Sequence, residues 1–179
     1  ANGFVYGSLL DDVGDGVEVI ESKDGGKVWD SIVVDSMAVK NLATDSSGKV
    51  IYGMARKGIG GESYLYRSKN GGESWSKVYT FSPPKGAVSS CPDPYFGLTL
   101  VVDPKNSSNL SLICFGVYYS DDGGETWKLT IEDKKTEALP VSFTAVKDVL
   151  YARDIDTLFV SKDFGKTWTK KKSTISLFQ

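Results

Sequence analysis

The side chains in this sequence best equipped for chemistry are carboxylates. Asp12, Asp15, Asp35, Asp154 and Asp156 stand in polar stretches between apolar runs. Glycoside hydrolysis needs two such groups at a defined separation, one to protonate the leaving oxygen and one to attack or to activate water. Many pairs can be drawn and the spacing favours none, so solubility is the default role of each and no catalytic residue is assigned. Asp11-Asp12-Val13-Gly14-Asp15-Gly16 also gathers the hard oxygen ligands that calcium takes. It lacks the EF-hand's carboxylate at the third position and its closing glutamate, and Asp and Gly favour turns for their own conformational reasons. No metal and no cofactor are expected.

The sequence contains no histidine. That removes the commonest general base and the commonest metal ligand together, so Ser-His-Asp, Cys-His and His–zinc chemistry is excluded for this chain acting alone. Its 21 lysines and arginines against 23 acids leave a net charge of −2, which indicates no nucleic-acid partner. No apolar run is long enough to insert in a membrane as a helix. The only cysteines are Cys91 and Cys114; they either pair or remain two thiols, and spacing does not decide between these. A chain beginning at Ala1, with overlapping sequons at Asn106 and Asn109, predicts a secreted or cell-surface protein.

What must position any site is a repeat. Four octapeptides share Ser-x-Asp-x-Gly-x-Thr-Trp: Ser22 to Trp29, Ser68 to Trp75, Ser120 to Trp127 and Ser161 to Trp168, with Asn70 in place of Asp, and Val28 and Ser74 in place of Thr. The tryptophans are 46, 52 and 41 residues apart. The hydroxyls of Ser22, Ser68, Ser120 and Ser161 and the side chains of Asp24, Asn70, Asp122 and Asp163 can accept from turn amides that no strand satisfies. Gly26, Gly72, Gly124 and Gly165 can take positive φ. Trp29, Trp75, Trp127 and Trp168 then open the outgoing strand, each with an apolar face to fill space between neighbouring units.

Alternating runs flank each octapeptide: Val17 to Glu21, Ser63 to Arg67, Gly116 to Tyr119 and Thr157 to Val160 before it, and Trp29 to Val34, Trp75 to Phe81, Trp127 to Ile131 and Trp168 to Lys172 after it. In three units two further runs precede these, as at Leu98 to Val102 and Leu110 to Phe115, separated by the polar turn 103–109. The pattern predicts an all-β fold, a β-propeller of four blades. Each blade is a four-stranded antiparallel meander, A to D, of about 40–45 residues. The blades are 1–35 plus 173–179, 36–82, 83–134 and 135–172 of a single domain. The first unit has no A strand of its own. Ser173 to Phe178 is placed to supply it, closing the ring and removing an exposed edge.

The octapeptides resemble Asp boxes, the BNR repeats of sialidases, sortilin-type receptors and xyloglucan-degrading glucanases. The resemblance spans nearly the whole chain, and Asp103 to Asn106 is similar to the A–B turn of the glucanase and sortilin-like members. It implies that the boxes are structural C–D turns on the outer edge of a ring, so their acids are not catalytic. The sialidase Phe/Tyr-Arg-Ile-Pro signature is absent, and members of these families use more blades per ring than this chain supplies. A closed four-bladed ring, a piece of a larger ring and a ring completed by two chains all remain open.

Strand direction alternates within a blade, which sends the B–C and D–A loops to the face opposite the boxes. There the candidate ligand-binding residues are Arg56, Arg153 and Asp154, together with Asp93, Tyr95 and Phe96 in the Pro-rich segment 82–96. Loops of that length are uncommon and often functional, although a lid over apolar strand ends would look the same. The leading reading is a non-enzymatic module that recognises a protein or a glycan or serves a structural role, alone, as a homo-oligomer or within a larger assembly. The competing reading is a glycoside hydrolase, or a fragment of one, using paired carboxylates on that face.

Overall fold

Short β-branched and aromatic alternations punctuated by glycine turns produce sixteen strands among the described residues of this computed structural model, which are 5–10, 17–56, 62–81, 99–113, 116–132, 142–146, 149–153 and 157–172. Within these, no helix is long and apolar enough to cross a membrane. The chain divides into two compact units, residues 1–43 with 48–96, and residues 44–47 with 97–179.

The first unit holds two antiparallel sheets. One is β1 (Val5–Leu10), β2 (Val17–Ser22) and β3 (Asp30–Ser31), in that order, with Val5 opposite Ser22 and Ile20 opposite Ser31. The other is β4 (Val33–Val34), β5 (Met37–Thr44), β6 (Ile51–Arg56), β7 (Ser63–Ser68) and β8 (Ser76–Phe81), paired consecutively. Val19, Ile32, Val34, Val39, Ala55 and Tyr66 form their shared core. A fully buried Val or Leu contributes about 1.5–3 kcal/mol relative to exposure, so a cluster of this size can hold two small sheets together.

The sequence pattern predicts one strand from Trp29 to Val34, but this outgoing run forms two, Asp30–Ser31 and Val33–Val34. It divides at Ile32, whose N–H donates to the Val19 carbonyl while its own carbonyl accepts from Val39 N–H. The chain thus leaves one sheet and enters the next at a single buried residue. The division adds β4 to the second blade, which has five strands instead of the four expected, while residues 1–35 supply the three strands expected of them among the described residues. Asp35 and Ser36 make the two-residue turn into β5 with φ of 50° and 62°, the left-handed pair that a tight hairpin between right-twisted strands requires.

The second unit holds two four-stranded meanders. β9 (Thr99–Asp103), β10 (Asn106–Ile113), β11 (Gly116–Ser120) and β12 (Lys128–Glu132) form one; β13 (Ser142–Val146), β14 (Val149–Arg153), β15 (Thr157–Ser161) and β16 (Thr169–Lys172) form the other. Ile113, Val117, Ile131, Ala152 and Phe159 are their common core, with Trp168 packed against it. The polar segment 103–109 is not all turn. Only Pro104 and Lys105 lie between strands, and β10 begins at Asn106, with a register shift before Leu110 absorbing the extra residues. Four sheets, each ending in an octapeptide hairpin, give the four blades expected. The closing segment 173–179 and the cysteines Cys91 and Cys114 lie outside the described residues.

Candidate functional site

The four octapeptides are four copies of one hydrogen-bonded turn. The hydroxyl at the first position donates to the third-position side chain in every copy: Ser22 to Asp24, Ser120 to Asp122 and Ser161 to Asp163 at 2.8 Å, and Ser68 to Asn70 at 2.9 Å. The same hydroxyl accepts from the amide of Gly26, Gly72, Gly124 or Gly165. The third-position side chain then accepts from the amide four residues on, at Val28, Ser74, Thr126 and Thr167. In the last two copies the Thr hydroxyl adds a further bond to the carboxylate. In the second the direction reverses, and Asn70 Nδ2 donates to Ser74 Oγ.

The indoles complete the turns. Trp29, Trp127 and Trp168 each donate Nε1–H to the carbonyl of their own box glycine at 3.0 Å. The expected spacing role is only part of their work. Trp29 and Trp75 each lie over a glycine of another strand of their own sheet, where a Cβ at Gly7 or Gly53 would meet the indole at 3.5 and 3.2 Å. Trp168 also bonds across sheets, to Thr130 Oγ1 at 3.1 Å.

This bonding fixes the charge state of the box acids. Burial pulls Asp122 upward, but donation from the Thr126 hydroxyl and amide and from Ser120 outweighs it and brings the carboxyl to about 2. Asp163 is lowered in the same way, with burial opposed by Thr167 and Ser161. Asp24 is lowered chiefly by the Val28 amide and the Ser22 hydroxyl. A carboxylate so placed neither releases nor takes a proton near neutrality.

Of the residues proposed from sequence for ligand contact, Arg56 ends β6 in the first unit and is buried, and Arg153 ends β14 in the second and is exposed. Asp93, Tyr95, Phe96 and Asp154 lie outside the described residues, as do Asp11, Asp12, Asp15 and Asp156. Asp35 has a structural occupation. Its carboxylate accepts from Tyr66 Oη at 2.7 Å, and burial, this bond and the carboxylate's charge all push that phenol upward.

A concave site does form in the second unit, at a place the sequence reading assigns only to structure. A cleft of about 410 Å³ is lined by Asp103, Lys105, Asn109, Tyr119, Lys162, Asp163, Phe164 and Lys166. It joins the turn between β9 and β10 to the fourth octapeptide. Tyr119 and Phe164 are buried and supply its apolar part. Asp103 accepts from Lys105 N–H at 2.9 Å and from Asn109 Nδ2 at 3.1 Å, and Tyr119 Oη donates to Asn109 Oδ1 at 3.3 Å. The lysines are exposed. The sequence signal for them lies in the variable positions of the box: the second and sixth are Lys162 and Lys166 in the fourth copy, but Asp121 and Glu125 in the third.

These features define an Asp-box β-propeller fold. The BNR/Asp-box repeat model matches residues 118–129 and 159–170, the third and fourth octapeptides. Comparison with characterised proteins by sequence gave no match. Among solved structures, a complex described as YCF48 bound to D1 peptide shares 15% identity at a TM-score of 0.56, over 96% of this chain and 52% of that one. The GH74 xyloglucanase of Xanthomonas campestris shares 18% at a TM-score of 0.63, over 94% of this chain and 28% of that one. The GH74 enzyme of Niastella koreensis shares 22% at a TM-score of 0.58, over 94% and 29%. The chain thus spans about half the length of the YCF48 structure and under a third of either enzyme. At these identities the likeness is one of fold.

Proposed function

We propose that this chain is a non-enzymatic recognition module that works outside the cytoplasm, at the cell surface or in secreted form, and engages a protein partner. The observation that carries the reading is the occupation of its repeated acids. Asp24, Asp122 and Asp163 are held by their own turns, and Asp35 is held by Tyr66. These carboxylates serve the scaffold, and the sequence offers no histidine to replace them as a base. A structural relative with a peptide bound supports a protein partner. The sequon residue Asn106 is exposed, in keeping with an extracytoplasmic setting.

The second reading is a glycoside hydrolase or a part of one, favoured by the likeness to two GH74 enzymes. A glycan array and in-cell photo-crosslinking on the full chain separate the readings. The proposal expects a discrete protein adduct and no saturable glycan binding. Glycan binding without a protein adduct would overturn it.

A further inference from the structure

We propose that the cleft between the β9–β10 turn and the fourth octapeptide binds the carboxylate side chains of an acidic peptide segment; this rests on the protein-recognition reading and names the chemistry of the partner.

Three ammonium groups border the cleft, from Lys105, Lys162 and Lys166, against two carboxylates, Asp103 and Asp163. Both carboxylates already accept protein donors: Asp103 from Lys105 N–H and Asn109, and Asp163 from Ser161 and Thr167. Two of the three cations, Lys162 and Lys166, are less committed. Lys162 has no partner among the described residues. Lys166 shares Asp121 with Lys128 at long range, 3.8 and 3.7 Å. The first octapeptide provides the contrast, because its second-position lysine, Lys23, meets Glu21 at 3.0 Å.

The form of the site selects among anions. A single phosphate is well held by a planar guanidinium fork, and no arginine lines this cleft. Long lysines spaced around an open concavity suit several separate carboxylates presented on a chain. Phe164 and Tyr119, which border the cleft, are buried and are not exposed faces on which bases could stack.

The test is fluorescence anisotropy of the full chain with a labelled tetraglutamate peptide, its tetraglutamine counterpart, and inorganic phosphate as competitor. The glutamate peptide should bind saturably and weaken as salt rises. It should lose roughly tenfold in affinity in K162Q/K166Q, as expected for two partly screened charge pairs, at an unchanged melting temperature. Equal binding of both peptides, unchanged affinity in the double variant, or competition by phosphate at the concentration where it equals peptide would each overturn the proposal. A protein adduct that persists in K162Q/K166Q would refute the cleft as its seat and leave the recognition reading standing; the absence of any adduct in the wild type would refute that reading itself.

Discussion

The Ser111 hydroxyl donates a 2.7 Å hydrogen bond to the backbone carbonyl of Phe164, tying an inner strand of one sheet to the octapeptide of the next. Both residues are buried. Phe164 occupies a position that is glycine in the other three copies, and it holds the same left-handed conformation, with φ of 57°. The fourth turn is therefore fixed partly from outside itself.

Removing that bond leaves a buried carbonyl without its donor, so Ser111→Ala should cost about 1–3 kcal/mol. Gly165→Ala should cost about 2–4 kcal/mol, because φ is +99° and the new Cβ would collide with the Ser111 hydroxyl. The double variant should cost less than the sum, since the first change removes the oxygen that the second strikes. Urea denaturation of the three variants checks this; strict additivity would mean that the two sites do not touch.

Acid should loosen the boxes. The Asp122 carboxyl is lowered from 3.8 to about 2 in the folded chain. Its stabilisation is therefore complete above the unfolded value and is lost as pH falls from about 4 toward 2. Asp122→Asn should cost under about 1 kcal/mol at neutral pH, because Asn70 already makes the equivalent bonds and the site is partly solvated. It should also flatten the acid limb of a urea-midpoint-against-pH curve. An unchanged acid limb would contradict the bonding described for this turn.

The first octapeptide can be repaired. Val28 is 61% exposed and stands where Thr126 and Thr167 bond their carboxylates. Val28→Thr should supply the missing donor to Asp24 and raise the melting temperature. A lower melting temperature would show that the copies are not equivalent.

Closure remains a proposal. β1 is at the edge of its sheet among the described residues, and Ser173 to Phe178 is the alternating segment offered for it. Deleting residues 173–179 should lower the melting temperature by several degrees; no change would count against that strand.

The octapeptides were legible in sequence because their Ser and Asp or Asn side chains bond within the turn at fixed offsets in every copy. The division at Ile32 was not, since its two bonds go to different sheets and nothing local marks it. Asp35 reads as a loop carboxylate until its left-handed turn and Tyr66 are seen together. The lysine cleft was hidden for a third reason. Lys105 and Lys162 are far apart in the chain, and the box positions that carry the charge are those a consensus discards.

The most direct test of the central claim is turnover of a panel of chromogenic glycosides and xyloglucan oligosaccharides by the full chain. The account predicts no turnover above the uncatalysed rate, in the wild type or in Asn variants of Asp12, Asp15, Asp35, Asp154 and Asp156. Turnover by the wild type that disappears in one of those variants would contradict it.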